Sequence, residues 1–599
     1  MDWIICFVIS MSALLSAIVR AVWAYARKRK RGRMLTPFMI VFAGVFVSAF
    51  VCLQPVVYNC VLADAPDKVV KTIAFSLHNT LQIFTVDAEK SLITEIANCP
   101  GARLSSAYSV FLSAAYVVAP VLTFGFLVSF FKNLSAHLRY YVRFFRKRVF
   151  VFSELNEKSL ALGADLRDKH PRAVIVYTDV FEKNDETSYE LAERARDLRA
   201  ICFKKDVLAI GFRRHRPGAE IVFFTIGENE AENIGQSLKL IGQYRNRKNT
   251  RLFVFSTRVE SELLLTKAEK GRVKVRRVNE VRSLVNRLLY ESGDEFFRNA
   301  RPTASGEKKI SAVIVGMGRH GTEMLKALAW YCQMDGYTVE IDAFDIDEKA
   351  EDKFTALAPE LMSEKYNGVS VKGEAAYTIR FHSGYDVATA SFADEISKLT
   401  EATYVFVSLG SDDLNIRTAV GLRMLFERVK AKPVIRAVIY GSEEKKALDG
   451  ITNYRGQPYD IDFVGDVATS YSAAVIMNSE LEAEALSRHR KWGEEEEFWQ
   501  YEYNYNSSVA SAIHRRARIA CGIPGAEKSE SELTAGERDA IESLEHRRWN
   551  AYMRSEGYVY SGSHEKSSRN DLAKMHHDLV DFSSLDEEEK RKDSRVGTK

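Results

Sequence analysis

Apolar positions in this chain follow three periods in turn. In the first 132 residues they are almost continuous. Trp3 to Ala26 is apolar except for Arg20, and Phe38 to Leu62 and Ala107 to Phe131 repeat the pattern. Each is long enough to cross a bilayer. Between the second and third, Val69 to Ala97 sets apolar residues at helical spacing with polar ones between. That predicts an amphipathic helix, lying in the interface or dipping in as a pore element. From Arg148 onward, short apolar runs alternate with helix-period segments. This predicts a mainly parallel sheet covered on both faces. Beyond the acidic run Glu494–Glu497, read as a solvated linker, an aromatic-rich stretch leads into helical periodicity.

Charge orients the apolar part. The basic run Arg27–Arg33 follows the first span, and Lys132, Arg139, Arg143, Arg146, Lys147 and Arg148 follow the third. Both clusters lie on one side of three spans. The positive-inside rule then puts the N-terminus outside and everything after Phe131 in the cytoplasm, as in a multi-pass inner-membrane protein. A signal peptide carries its charge before the apolar core, not after it. Arg20 either snorkels to the inner headgroups or faces a pore. Cys60 and Cys99 flank the outward segment, and a disulfide and two free thiols both remain open. No TVGYG-like filter occurs, so a potassium-selective pore is not supported. A net charge of +4 over 599 residues gives no sign of a general nucleic-acid binder. Seven scattered cysteines form no zinc signature.

One stretch carries a specific nucleotide signal. The apolar run Ile310–Val315 stops at Gly316-Met317-Gly318-Arg319-His320-Gly321, a helix-period segment follows, and a second apolar run ends at Asp345. This is the order of a Rossmann-type half. Gly316 permits the tight turn, Gly318 lets a pyrophosphate approach the backbone, and Gly321 lets the helix pack on the strand. Asp345 stands where a ribose hydroxyl needs an acceptor. With Gly410, these residues are the candidate site for NAD or another nucleotide. Residues 148–290 and 310–486 read as two copies of one pattern, with Gly227 and Asn233 answering Gly410 and Asn415. In the first copy Ser153, Leu155 and Lys158 replace the three glycines, and Leu155 blocks a pyrophosphate. Lys158 and Ser159 there are either phosphate contacts or solvated surface. The expected organisation is a transmembrane region (1–132), two Rossmann-like domains (133–300 and 301–490) and a mainly α-helical domain (491–599).

Transmembrane helices followed by such domains resemble the TrkA-N or RCK-type regulatory modules of bacterial potassium channels and transporters. The resemblance covers roughly residues 148–486. It rests on the glycine turn, Asp345, Gly384–Asp386 and Gly410-Ser411-Asp412-Asp413. It implies assembly in pairs or rings that gate a pore on binding a nucleotide or ion. The chain departs from it in lacking a recognisable potassium pore and the first copy's glycines.

The last hundred residues resemble a ryanodine-receptor-type (RyR) domain. The match runs through Glu545-His546-x-Arg548-Trp549, Gly557-Tyr558, Lys574-x-His576-x-x-Leu579-Val580, Phe582, Leu585, Lys590 and Asp593. In bacteria such domains look like sensors of small nucleotide-derived ligands and occur in antiviral signalling systems. The implied ligand residues are His546, Arg548, Trp549, Tyr558, Lys574 and His576. Trp549, Tyr558 and Phe582 offer stacking faces; Arg547, Arg548, Lys574 and His576 offer phosphate contacts. Against this, Trp549 lies one helical turn after Glu545 and suits a core position, and the histidines suit structural roles. No Ser-His-Asp spacing, HExxH or hydride-transfer dyad occurs, and His320 reads as the top of a helix. No catalytic or metal residues are therefore assigned, and an enzyme is not expected. The expectation is a homo-oligomeric membrane effector gated by a nucleotide-type signal, possessing no nucleic-acid partner and acting in the bilayer, with antiviral defence as its setting. The alternative is an NAD(H)- or ATP-responsive regulator of potassium or cation flux.

Overall fold

A computed structural model describes residues 1–28, 35–62, 67–85, 95–96, 98–99, 101–130, 135–180, 186–212, 215–258, 260–304, 306–363, 376–451, 453–477 and 479–597. Two compact units emerge, Met1–Arg143 and Phe144–Lys599. The division falls after the helix Ser135–Val142, some ten residues beyond the expected edge of the apolar region.

The first unit is built on α1 (Trp3–Lys28), α2 (Leu35–Val56), α3 (Lys68–Thr85) and α4 (Ser105–Phe130). A π-turn, Val57–Val61, extends α2. Among the described residues, three helices are long and apolar enough to cross a membrane: Trp3–Trp23, Ile40–Val61 and Ser105–Phe124. Small residues let α1 and α2 approach, since a Cβ on Gly44 would lie 2.2 Å from that of Ala17. Ser10 and Ser48 reinforce the contact, each hydroxyl donating to the other's carbonyl at 2.7 and 2.9 Å. Arg20 is exposed, on the outer surface of α1. A disulfide joins Cys60 to Cys99, which decides between the two readings of that pair. The amphipathic stretch is helical over Lys68–Thr85; most of its remainder lies outside the described residues.

In the second unit, strands β1 (Arg148–Phe152), β2 (Val174–Tyr177), β3 (Ile201–Cys202), β4 (Glu220–Thr225), β5 (Thr250–Phe255) and β6 (Val273–Val278) form one parallel sheet. A second contains β7 (Lys308–Val315), β8 (Tyr337–Asp345), β9 (Tyr377–Ser383), β10 (Tyr404–Val407), β11 (Val434–Val438) and β12 (Ile461–Val464). A short antiparallel strand, Arg301–Pro302, adds to β7. The orders β3-β2-β1-β4-β5-β6 and β9-β8-β7-β10-β11-β12 are the same Rossmann-like topology twice. The continuous apolar runs follow from strands buried on both faces.

The duplication extends to single side chains. Asn233 donates to Phe255 O at 3.0 Å and accepts from Gly227 N–H at 2.8 Å. Asn415 donates to Val438 O at 2.8 Å and accepts from Leu409 N–H at 2.6 Å. Each buried asparagine ties the ends of two neighbouring strands.

The halves also exchange helices. Leu284, Val285, Leu288 and Leu289 of α6 (Glu280–Ser292), which follows β6, pack into the core of the second half. Tyr471, Val475 and Ile476, which follow β12, pack into the core of the first. Neither half can leave the other without exposing these side chains.

The C-terminal segment is mainly helical, with α8 (Glu502–Ala520), α9 (Ala535–Ser555) and α10 (Glu587–Gly597) following α7 (Arg319–Tyr331) of the second half. A two-residue parallel pair joins Val559–Tyr560 to Met575–His576. α9 packs on α7 through Trp330 and Tyr552, whose rings stand 6.0 Å apart. The acidic run expected to be a linker instead opens the helix Glu495–Gln500. Its glutamates occupy a first turn, where the helix dipole favours negative charge.

Candidate functional site

Two regions gather the candidate residues. The first is the glycine turn between β7 and α7. Gly316 has φ +95°, and a Cβ there would fall 2.4 Å from Ser408 O. A Cβ on Gly321 would fall 1.9 Å from Gly316 O, so this glycine sets the helix-to-strand approach. Gly318 differs from both: a Cβ on it would meet nothing within 4 Å. It begins α7 with no side-chain cap, leaving the first-turn N–H groups facing open space. Cavities of about 420 and 340 Å³ flank it. Gly318 and Asp345 border both, Gly316 and Gly410 border the second, and Gly321 borders neither. Asp345 accepts from Met317 N–H at 2.6 Å and Asp347 N–H at 2.7 Å, bracing the turn as well as facing the cavities. His320 also lines the second cavity, and burial holds its pKa down near 4, so it is neutral.

The larger cavity lies between the halves, with Thr257, Asn279 and Val281 of the first on its wall. At the equivalent place in the first half the helix start is capped by a side chain. Asn156 caps α5 (Glu157–Lys169), accepting from Ser159 N–H at 2.9 Å, and the Ser159 hydroxyl accepts from Asn156 N–H at 2.9 Å. Lys158 pairs with Glu280 at 2.9 Å. Register aligns Phe152 with Tyr177 and Val315 with Phe344, so Thr178 stands at the place of Asp345. Thr178 donates to the carbonyls of Phe152 and Ser153.

The second region is a cavity of about 340 Å³ among α8, α9 and α10. Four of the six residues proposed for this module line it: His546, Arg548, Trp549 and His576. Tyr558 and Lys574 do not. Tyr558 is buried 6.0 Å from the Tyr503 ring, and Lys574 donates to Glu556 O at 2.6 Å. Phe582 packs 6.0 Å from His546.

Buried charge dominates this cavity. Glu545 Oε1 accepts from Arg548 Nη2 at 3.0 Å and from Ser511 at 3.0 Å, and Oε2 lies 3.2 Å from Arg518. Burial would raise the Glu545 pKa, but Arg548 and then Arg518 outweigh it and hold the carboxylate at about 2. Three buried polar atoms on the wall have no hydrogen-bond partner, Ser508 Oγ, Arg548 Nη1 and His577 Nδ1, and Glu545 Oε2 has only the Arg518 ion contact. The half-buried rings of Tyr503 and Trp549 border the same space.

Two histidines are shifted in opposite directions. His546 Nδ1 lies 3.2 Å from Asp593, and its Nε2 faces Val580 O at 2.8 Å. Burial lowers its pKa, but the Asp593 contact prevails and raises it. His576 is pushed down to about 3, by burial first and then by Arg569. It is neutral, so a contact from it to phosphate is a hydrogen bond rather than an ion pair. His576, His577 and Asp578 bring three potential metal donors within 4.8 Å of one another.

The two regions share structural supports. Arg282 of α6 bonds Glu323 of α7 at 2.6 Å and Glu556, just past α9, at 2.8 Å. Glu323 and Leu357 border the glycine-turn cavity, and Gly557 sits so near that its Cβ would lie 2.7 Å from Leu357 O.

Sequence reasoning missed Tyr503, Ser508, Arg569, His577 and Lys592 as wall residues. Only the neighbouring motif positions Lys590 and Asp593 hinted that the last helix returns to α9. No protein-family model matches the chain, and no curated protein matches it.

Proposed function

We propose that the protein is a membrane effector controlled by a small nucleotide-type ligand bound in the C-terminal cavity. One observation carries this reading: three unpartnered buried polar atoms, with a carboxylate oxygen held only by an ion contact, border one cavity beside two aromatic faces. Buried polar groups ordinarily find partners. A base stacked on Trp549 or Tyr503 supplies both acceptors for Ser508 and Arg548 and donors for Glu545. The RyR resemblance points to four residues of this wall, His546, Arg548, Trp549 and His576, and to a setting in antiviral signalling.

The Rossmann-like halves act as the coupling platform, in keeping with the TrkA-N or RCK resemblance. Arg282 links the end of α9 to the glycine-turn helix. The three apolar helices anchor the protein in the inner membrane, with the second unit in the cytoplasm. The Cys60–Cys99 disulfide fits an oxidising outer side. Three spans are few for a conducting path, so the protein works as a homo-oligomer. Ligand favours the active assembly only by binding it more tightly than the resting one.

Calorimetric titration of the full-length protein with mononucleotides and cyclic nucleotides tests the site. Ser508→Ala removes one orphan donor and should weaken a binding nucleotide by roughly twofold to tenfold, the worth of one hydrogen bond. No binding across the panel, or unchanged affinity in the variant, argues against it.

A second reading has its own observation. The open space over Gly318, with Asp345 beside it, suits NAD(H) or ATP regulating potassium or cation flux. A nucleotide-induced thermal shift lost in Gly318→Leu would favour this reading.

A further inference from the structure

α3 is amphipathic in the reverse sense to a helix on a water-facing surface. Val70, Ile73, Leu77 and Leu81 are exposed, whereas Thr72, Ser76 and Thr80 are buried. A helix bordering water hides its apolar stripe and shows its polar one. The inward threonines satisfy themselves, since Thr72 donates to Lys68 O and Thr80 to Ser76 O, each at 2.7 Å. Ser76 Oγ and Gln54 Nε2 of α2 remain buried in the bundle without a partner.

Two contacts fix how far α3 descends. At its start, the Lys68 ammonium stands 4.4 Å from the Tyr58 ring, just past the end of α2. At its end, the Phe84 ring lies 4.9 Å from Phe42. Residues 58 and 42 are 16 apart, about 24 Å of helical rise. That is most of a hydrocarbon core of about 30 Å. The Cys60–Cys99 bond, with Cα atoms 5.5 Å apart, then holds the chain back at the level of Tyr58. A helix that spanned would leave Cys99 on the opposite side.

We infer that α3 is a re-entrant helix. It enters the bilayer from the disulfide side, faces lipid acyl chains with Val70, Ile73, Leu77 and Leu81, and turns its hydroxyl stripe into the bundle. This face is continuous in character with the exposed apolar residues Val117 and Val121 of α4. The inference rests on the proposal that the three apolar helices cross the membrane.

Photolabelling of the full-length protein in proteoliposomes tests it, using phospholipids that carry a diazirine near the headgroup or at the acyl terminus. Labelled residues are mapped by mass spectrometry. The expected result is lipid labelling of Val70, Ile73, Leu77 and Leu81 at summed yields like those of Val117 and Val121, and none at Thr72, Ser76 or Thr80. Labelling should shift from the shallow probe at Val70 to the deep probe at Leu81. Labelling of all four by the shallow probe alone means the helix lies flat, and overturns the inference. Absence of label on α3 while Val117 and Val121 are labelled also overturns it, placing the face in water or against a second copy. Absence at all these positions overturns the membrane-span reading itself.

Discussion

Gly318 and Gly321 are three residues apart, yet the structure assigns them opposite sensitivities. In Gly321→Ala the new methyl would fall 1.9 Å from Gly316 O and 3.0 Å from its carbon. Those atoms are backbone and cannot swing aside, so α7 must move off β7. Overpacking of this kind costs about 1–3 kcal/mol. In Gly318→Ala the methyl meets nothing within 4 Å, and φ is −66°, open to any residue. Alanine is a poorer cap than glycine but restricts the unfolded chain, and the two effects leave a net change within about 1 kcal/mol. Urea unfolding of the full-length protein in detergent, followed by circular dichroism, should therefore show a clear loss of midpoint for Gly321→Ala and little change for Gly318→Ala. Equal losses would refute the assignment of one glycine to packing and the other to an open ligand surface.

Glu545→Gln removes the anion between two buried guanidinium groups, and breaking such a pair costs about 3–5 kcal/mol; an unchanged melting temperature would show that Arg518 and Arg548 do not depend on it. Because the Glu545 pKa is depressed from 4.5 to about 2, its stabilisation is complete above pH 4.5 and lost as pH falls toward 2. Acid-unfolding curves of wild type and Glu545→Gln should converge through that window. His546 runs the other way: its raised pKa gives stability that is full below pH 6.5 and lost as pH rises through the raised value. Melting temperatures from pH 6 to 9 should fall in wild type and change less in Asp593→Asn. Ile476→Ala, in a helix that follows the second sheet, should cost about 2–5 kcal/mol in the core of the first half. Hydrogen exchange should then rise in β1 and β4, and a loss confined to the second half would contradict the exchange of helices.

The fold was largely legible because its signals are local. The apolar runs, the glycine turn and the repeated Gly–Asn pairs each depend on neighbours within one strand–turn–helix unit. The exchange of helices was not, since nothing in Leu284–Leu289 or Tyr471–Ile476 says which of two similar cores will receive it. At the glycine turn, spacing alone placed Gly316, Gly318 and Asp345 on one crevice, and the double use of Asp345 emerged only with the backbone. In the C-terminal cavity the motif marked Arg548 and Trp549. It also marked Tyr558 and Lys574, which tertiary packing turned to other tasks. Ser508, His577 and Arg569 come from distant turns and carry no pattern of their own. Glu494–Glu497 misled because like charges read as solvated chain, while at a helix start they are favourable.

The central claim is that a nucleotide in the C-terminal cavity controls the membrane unit. Dye efflux from proteoliposomes containing the full-length protein, recorded against a panel of mononucleotides and cyclic nucleotides, tests it most directly. The account predicts that at least one nucleotide triggers efflux from wild type, and that Trp549→Leu, whose ring borders the cavity, shifts the response to higher concentration. Efflux independent of every nucleotide, or identical in the variant, would contradict it.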